Sequence, residues 1–211
     1  MIDNNRLDIM VDIETLGKQL DSTIFQIAIG FFNIQTGEIY ETFNCLADIS
    51  KMKCNVDGDT LKWWLQTNPE LLNVLINGNS NLSENNIIEK FYMLIKTQIV
   101  LRGEENIFLW GNGILFDNAM IKAHMKSCGL EYPIFYRNDR DMRTLVELAV
   151  KKLNDSTITN EKEFRDKYFD KSKYVEHNAV DDVRFQIDMV CKAYNIIINT
   201  YDSKKNKWYD D

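Results

Sequence analysis

The chain has 211 residues, 45% of them apolar, and carries a formal net charge of −7 with a pI near 5.0. That length and apolar content suit one domain with a full core, while the acidity argues against a protein that coats nucleic acid by counterion release. No apolar run approaches the roughly 20 residues of a membrane span; the first residues, "MIDNNRLDIM", lack the basic start and apolar stretch of a signal peptide; and Cys45, Cys54, Cys128 and Cys191 form no CxxC pair, so a cytoplasmic protein with reduced thiols, no zinc site and no membrane contact is expected.

In chain order, "LDIMVDIETL" reads as a strand, and "IFQIAIGFFNIQTGEIYETFNCLA" as two more that turn at Thr36-Gly37, so the chain begins as a β meander. From Thr60 the spacing becomes helical, and "SENNIIEKFYMLIKTQIV" is a second helical segment with Ser83 as its N-cap. "NIFLWGNG" is a short apolar strand ending in a Gly-Asn-Gly turn. "FDNAMIKAHMKSCG" is a helix that Gly129 terminates. "DMRTLVELAVKKL" is helical. Residues 154 to 173 are charged and without pattern, and read as a mobile loop or irregular helix. "NAVDDVRFQIDMVCKAYNIII" is the last helix, followed by a frayed tail. Strands first, then a strand among helices, give an α/β layer fold with a mixed sheet.

Within this pattern the acids need an explanation. Asp12 and Glu14 project from the same side of the first strand, and two carboxylates in an apolar strand repel one another and resist burial. Neither has an obvious Lys or Arg partner nearby in sequence. Asp117 begins a helix after the "GNGILF" turn, and Asp181 and Asp182 begin the last helix just after His177. Taken singly, Asp117 and the later pair also read as helix-start acids favoured by the dipole, and His177 as a surface histidine. Asp12 and Glu14 are harder to dismiss, and a pair of hard oxygen donors of this type favours magnesium or manganese.

The pieces "VDIETLG", "GNGILFDN" and "HNAVDD" set a DxE on a first strand, an FD after an Asn-containing turn and an HxxxxD opening a late helix. In that order they resemble the DEDDh (DnaQ-like) 3'-5' exonucleases, over residue 9 to about residue 190. "LKWWLQTNPELL" and "RDMRTLVELA" look like the narrower group that contains exonuclease A of T-even phages and the mycobacterial exoribonuclease RNase AS.

The resemblance implies an RNase H-like fold, a mixed central β-sheet flanked by helices, in a single exonuclease domain over residues 1–200 with a C-terminal tail over 201–211. It implies Asp12, Glu14, Asp117 and Asp182 as ligands of two Mg2+ or Mn2+ ions, Asp12 bridging them, and His177 as general base. Family spacing from His177 favours Asp182 over Asp181. Thr15, through its backbone, and Leu16, as an apolar wedge, would contact the terminal nucleotide. Trp63 and Trp64 are stacking candidates, and Trp64 is placed among the substrate residues. Adjacent helical residues are rotated by about 100°, so one of the two belongs to the core. Arg143 would hold an acid or a phosphate. Phe116 packs beside Asp117, and His124 is a surface or packing residue.

The implied partners are the 3' ends of single-stranded DNA or RNA. The phage likeness leans to DNA; the mycobacterial one leans to RNA and to a homodimer. The expected reaction is phosphodiester hydrolysis from the 3' end with release of nucleoside 5'-monophosphates. Trimming of short RNAs, as by oligoribonucleases, and a non-catalytic nucleic-acid binder on the same fold are the alternatives. The crowding of acids also implies a raised pKa for Asp12.

Overall fold

The computed structural model describes residues 5–77 and 80–205. Three strands open the chain, β1 (Leu7–Thr15), β2 (Ile24–Phe32) and β3 (Ile39–Leu46), and form the expected antiparallel meander. Gly37 sits at φ 76 in the turn between β2 and β3, a region that favours glycine. The helical spacing after Thr60 resolves into two helices, α1 (Gly58–Thr67) and α2 (Pro69–Ile76). The break falls at Asn68, whose side chain accepts from the Leu71 amide and which places Pro69 in the first turn of α2.

Ser83 caps α3 (Glu84–Arg102) through a reciprocal box with Asn86. β4 (Ile107–Gly111) follows, then α4 (Asp117–Ser127), after which Gly129 lies at φ 72. A short strand that the sequence pattern did not show, β5 (Asp139–Asp141), leads into α5 (Met142–Leu153), whose N-cap Asp141 accepts from the Thr144 amide. Residues 154–173 are more regular than their composition suggests. They contain α6 (Glu161–Tyr168), capped by Asn160, with Phe164 fully buried beneath it. The last helix, α7 (Ala179–Lys205), runs through the start of the segment read as a tail, and residues 206–211 lie outside the described residues.

The sheet order is β3-β2-β1-β4-β5, with β4 parallel to both β1 and β5. β1 and β2 are buried along their lengths because helices cover both faces of the sheet, whereas β3, at the edge, is half-exposed. Alternation along β1 divides its side chains. Leu7, Ile9, Val11 and Ile13 pack with Ile87, Phe91 and Ile121 of α3 and α4. Met10 packs on the other side with Val146, Phe164 and Ile187 of α5, α6 and α7. Asp12 and Glu14 share that second side.

Two glycines set the approach of the helices that matter for the acids. A Cβ on Gly30 of β2 would lie 2.6 Å from Ile187 Cδ1, so the missing side chain lets α7 settle directly on the sheet. A Cβ on Gly111 would lie 2.4 Å from Asn118 Oδ1, so the end of β4 and the first turn of α4 meet without an intervening side chain. Among the described residues, no helix is long and apolar enough to cross a membrane.

Candidate active site

The sheet and the helix starts bring the separated acids to one place. Asp12 and Glu14 end β1, Asp117 begins α4 at the exit of β4, and Asp182 lies in the first turn of α7. All four line one cleft of about 500 Å3, together with His177 and Arg143. One carboxylate oxygen each from Asp12, Glu14 and Asp182 lie within 4.8 Å of one another. Among the described residues, no Lys or Arg forms an ion pair with any of the four acids.

The electrostatic consequence is large. Burial pushes the Asp12 carboxyl well above its ordinary value, and the charges of Asp117 and Asp182 push it further. The rise anticipated from neighbouring acids is present, but loss of water is its larger cause. Glu14 is pushed from 4.5 to about 10, first by burial and then by Asp12, Asp182 and Asp117. Asp117 rises to about 7 through burial, held down in part by backbone amides and by Arg143. Asp182 also rises to about 7 through burial, opposed by the His177 amide. Four hard oxygen donors that cannot all ionise alone are the donor set a divalent cation requires.

His177 lies at φ 67, a left-handed backbone that is uncommon outside glycine. Its amide donates to Asp182 Oδ2 at 3.1 Å, and its ring meets Trp63 edge-on at 4.9 Å between centroids. Asp181 turns away from the cluster. It accepts from the Val175 amide at 3.1 Å and pairs with Arg184 at 3.4 Å.

The structure separates the substrate candidates. Trp64 is 1% exposed and cannot stack on a base. It packs with Phe25, Leu72 and Leu75, and its indole N–H donates to Thr15 O at 3.1 Å. Trp63, 41% exposed, is the surface member of the pair. Thr15 and Leu16 are also buried and do not line the cleft. Thr15 Oγ1 donates to Gly17 O at 2.7 Å, and Leu16 joins the same apolar cluster as Trp64. Both side chains pack into the loop after β1. Arg143 does face the cleft; its Nε donates to Asn112 Oδ1 at 3.1 Å. Phe116 is 37% exposed on the cleft wall, where packing alone was expected. His124 is a buried packing residue, its Nε2 3.0 Å from Ser22 O and its Nδ1 3.4 Å from Glu84.

Nothing in the sequence pattern marks Gln186, yet it is central. It sits one helical turn after Asp182, is 3% exposed, and donates from Nε2 to Asp12 Oδ1 at 2.7 Å. Its Oε1 is enclosed without a partner. The only signal available was spacing, since residues four apart share a helix face.

The sequence profile of the family described as 3'-5' exoribonuclease Rv2179c-like domains matches residues 7–194. No curated protein sequence matches the chain. Among solved structures, the nuclease domain of 3'hExo, a DEDDh family member bound to rAMP, superposes with a TM-score of 0.61 at 13% identity, covering 92% of this chain and 94% of that one. Cell-death related nuclease 4 (CRN-4) gives 0.60 at 14% identity, over 90% of this chain and 64% of that one. E. coli exonuclease I in complex with a 5cy-dA13 oligonucleotide gives 0.61 at 13% identity, over 93% and 43%. The chain thus spans less than two thirds of CRN-4 and less than half of exonuclease I. At these identities the likeness is one of fold, and it is the RNase H-like fold anticipated from the three motifs.

Proposed function

Because the chain belongs to the family of 3'-5' exoribonuclease Rv2179c-like domains, we propose that it hydrolyses the terminal phosphodiester bond at the 3' end of single-stranded nucleic acid. The family description favours RNA as the strand. The observation that carries the reading is the convergence of four acids, Glu14 and Asp117 buried and Asp12 and Asp182 half-buried, on one cleft that also holds His177, with no Lys or Arg ion-paired to them among the described residues.

The donor set fits divalent cations, and Asp12, Glu14, Asp117 and Asp182 would hold them, two Mg2+ or Mn2+ ions in the two-metal pattern. Bound there, the cations supply charge neutralisation for the carboxylates and for the phosphate that must approach them. Every other part of the task falls to side chains. Gln186 fixes Asp12 by taking one of its oxygens. Asp182 holds the His177 backbone, and Trp63 backs the imidazole. His177, which lines the cleft beside the acids, accepts the proton of the attacking water. The water oxygen bonds to phosphorus, and the P–O bond to the 3' oxygen of the preceding nucleotide breaks. That oxygen leaves with a proton from solvent, and a nucleoside 5'-monophosphate is released. Phe116 offers an aromatic face to the terminal base, a sequence-tolerant contact. The exonuclease domain spans residues 1–200 in this reading.

A digestion series tests it. Matched single-stranded DNA, single-stranded RNA and duplexes, labelled at the 5' end, are incubated with each metal and with excess chelator. A ladder shortening from the 3' end of single strands, absent with chelator, is expected. Undiminished hydrolysis in chelator, or immediate release of the label as a mononucleotide with no ladder, overturns the proposal.

A further inference from the structure

The charged lining of the cleft is uneven. Six acids line it, Asp12, Glu14, Asp117, Glu161, Glu176 and Asp182, against the basic side chains Arg143 and Arg165. Arg143, in the first turn of α5, is tied to Asn112 and its charge bears on Asp117. Arg165 stands on α6, a helix further out along the wall. Phe164, just before it, is fully buried, and an aromatic series runs from it through Phe169 and Phe185 to Tyr174, with ring centroids 6.3, 5.6 and 5.0 Å apart. Consecutive helical residues are rotated by about 100°, so rooting Phe164 in the core turns Arg165 towards the cleft.

The Arg165 head group is not saturated. Its Nε is enclosed and makes no hydrogen bond, and its ion pair with Asp166 is long, at 3.9 Å. Glu161, one turn earlier, also lines the cleft but makes no ion pair with Arg165 among the described residues. The enclosed Nε is out of reach of a strand, but the side chain as a whole is 31% exposed, and the planar fork of Arg matches two oxygens of a phosphate.

We propose that Arg165 on α6 forms a subsite for a phosphate of the substrate strand other than the one undergoing cleavage. The proposal rests on the nuclease reading above. The phosphate at the carboxylates lies beside Arg143, and a strand longer than a dinucleotide brings a second phosphate to α6. Strand length, and not base identity, is what this subsite reads, so it favours longer single strands over the shortest fragments.

The test is binding of fluorescein-labelled, phosphorothioate single strands of DNA and RNA by anisotropy across a salt series, with dinucleotide hydrolysis measured alongside. In Arg165→Gln the dependence of log Kd on log salt should flatten by about 0.7, the value of one single-strand phosphate contact. Binding of the long strand weakens several-fold, and dinucleotide kcat/KM stays within about twofold, because that substrate has no second phosphate to contribute a counterion. Arg165→Lys, which keeps the charge, should retain the salt slope and shows that loss in the Gln variant is not misfolding. An unchanged slope in Arg165→Gln overturns the subsite, as does equal loss for dinucleotide and long strand. Because the slope is read on binding, its failure is distinct from failure of wild-type digestion, which bears on the reaction itself.

Discussion

Replacing Glu14 with Gln should stabilise the metal-free protein. In the folded chain the Glu14 carboxyl is pushed from 4.5 to about 10 by burial and by three neighbouring acids. Between those values the folded state holds a proton that the unfolded state has released, so wild-type stability falls as pH rises through that window. At about pH 8 the span crossed is roughly 3.5 units, and at about 1.36 kcal/mol per unit the ceiling is about 5 kcal/mol. Side-chain relaxation and water entry reduce it, and roughly 2 kcal/mol is the expected gain. Gln keeps the shape and carries no proton to lose. For a chain of this size that gain is about 4–8 °C in Tm. Thermal unfolding followed by circular dichroism, on chelated protein, reads it directly. The advantage of Glu14→Gln should shrink towards nothing as pH falls to about 4.5, where the unfolded chain is also protonated. Excess magnesium should raise the Tm of wild type more than that of the variant. A variant that melts at or below wild type near neutrality, or an advantage independent of pH, would refute the reasoning.

Three further outcomes separate roles that proximity alone confuses. His177→Ala should slow turnover by about 100- to 10,000-fold while magnesium binding by calorimetry is preserved; loss of binding would make it a ligand. Gln186→Leu should weaken magnesium binding by about 10- to 100-fold with Tm unchanged or raised, since the buried, unpartnered Oε1 disappears with the amide; a fall in Tm at constant metal affinity would make Gln186 merely structural. Trp64→Ala should cost roughly 3–5 kcal/mol of stability in urea unfolding, because a core indole and its bond to Thr15 O are lost; a well-folded variant with only a raised KM would return Trp64 to the substrate side.

The acids were legible because charge in an apolar strand has few structural uses. The DxE, FD and HxxxxD spacings therefore pick out acids that line one cleft. The caps at Ser83 and Gly129 were legible because each supplies a specific hydrogen bond or backbone angle. What stayed hidden had no such signature. β5 is three residues of Asp-Arg-Asp, paired only because β4 presents a free edge. α6 is so charged that its single buried anchor, Phe164, is outvoted in composition. Trp63 and Trp64 are chemically identical, and which one faces solvent depends on where α1 docks. Thr15 and Leu16 follow the acids in sequence, but the loop after β1 turns them into the cluster around Trp64. Gln186 is neutral, and only the close seating of α7 over Gly30 brings it to Asp12.

The central claim is that Asp12, Glu14, Asp117 and Asp182 form one binding site for catalytic cations. Calorimetric titration of chelated protein with manganese tests it most directly. About two ions per chain are expected, with heat lost or sharply reduced in Asp12→Asn and Asp182→Asn. Absence of binding in wild type, or binding unchanged in both variants, would contradict it.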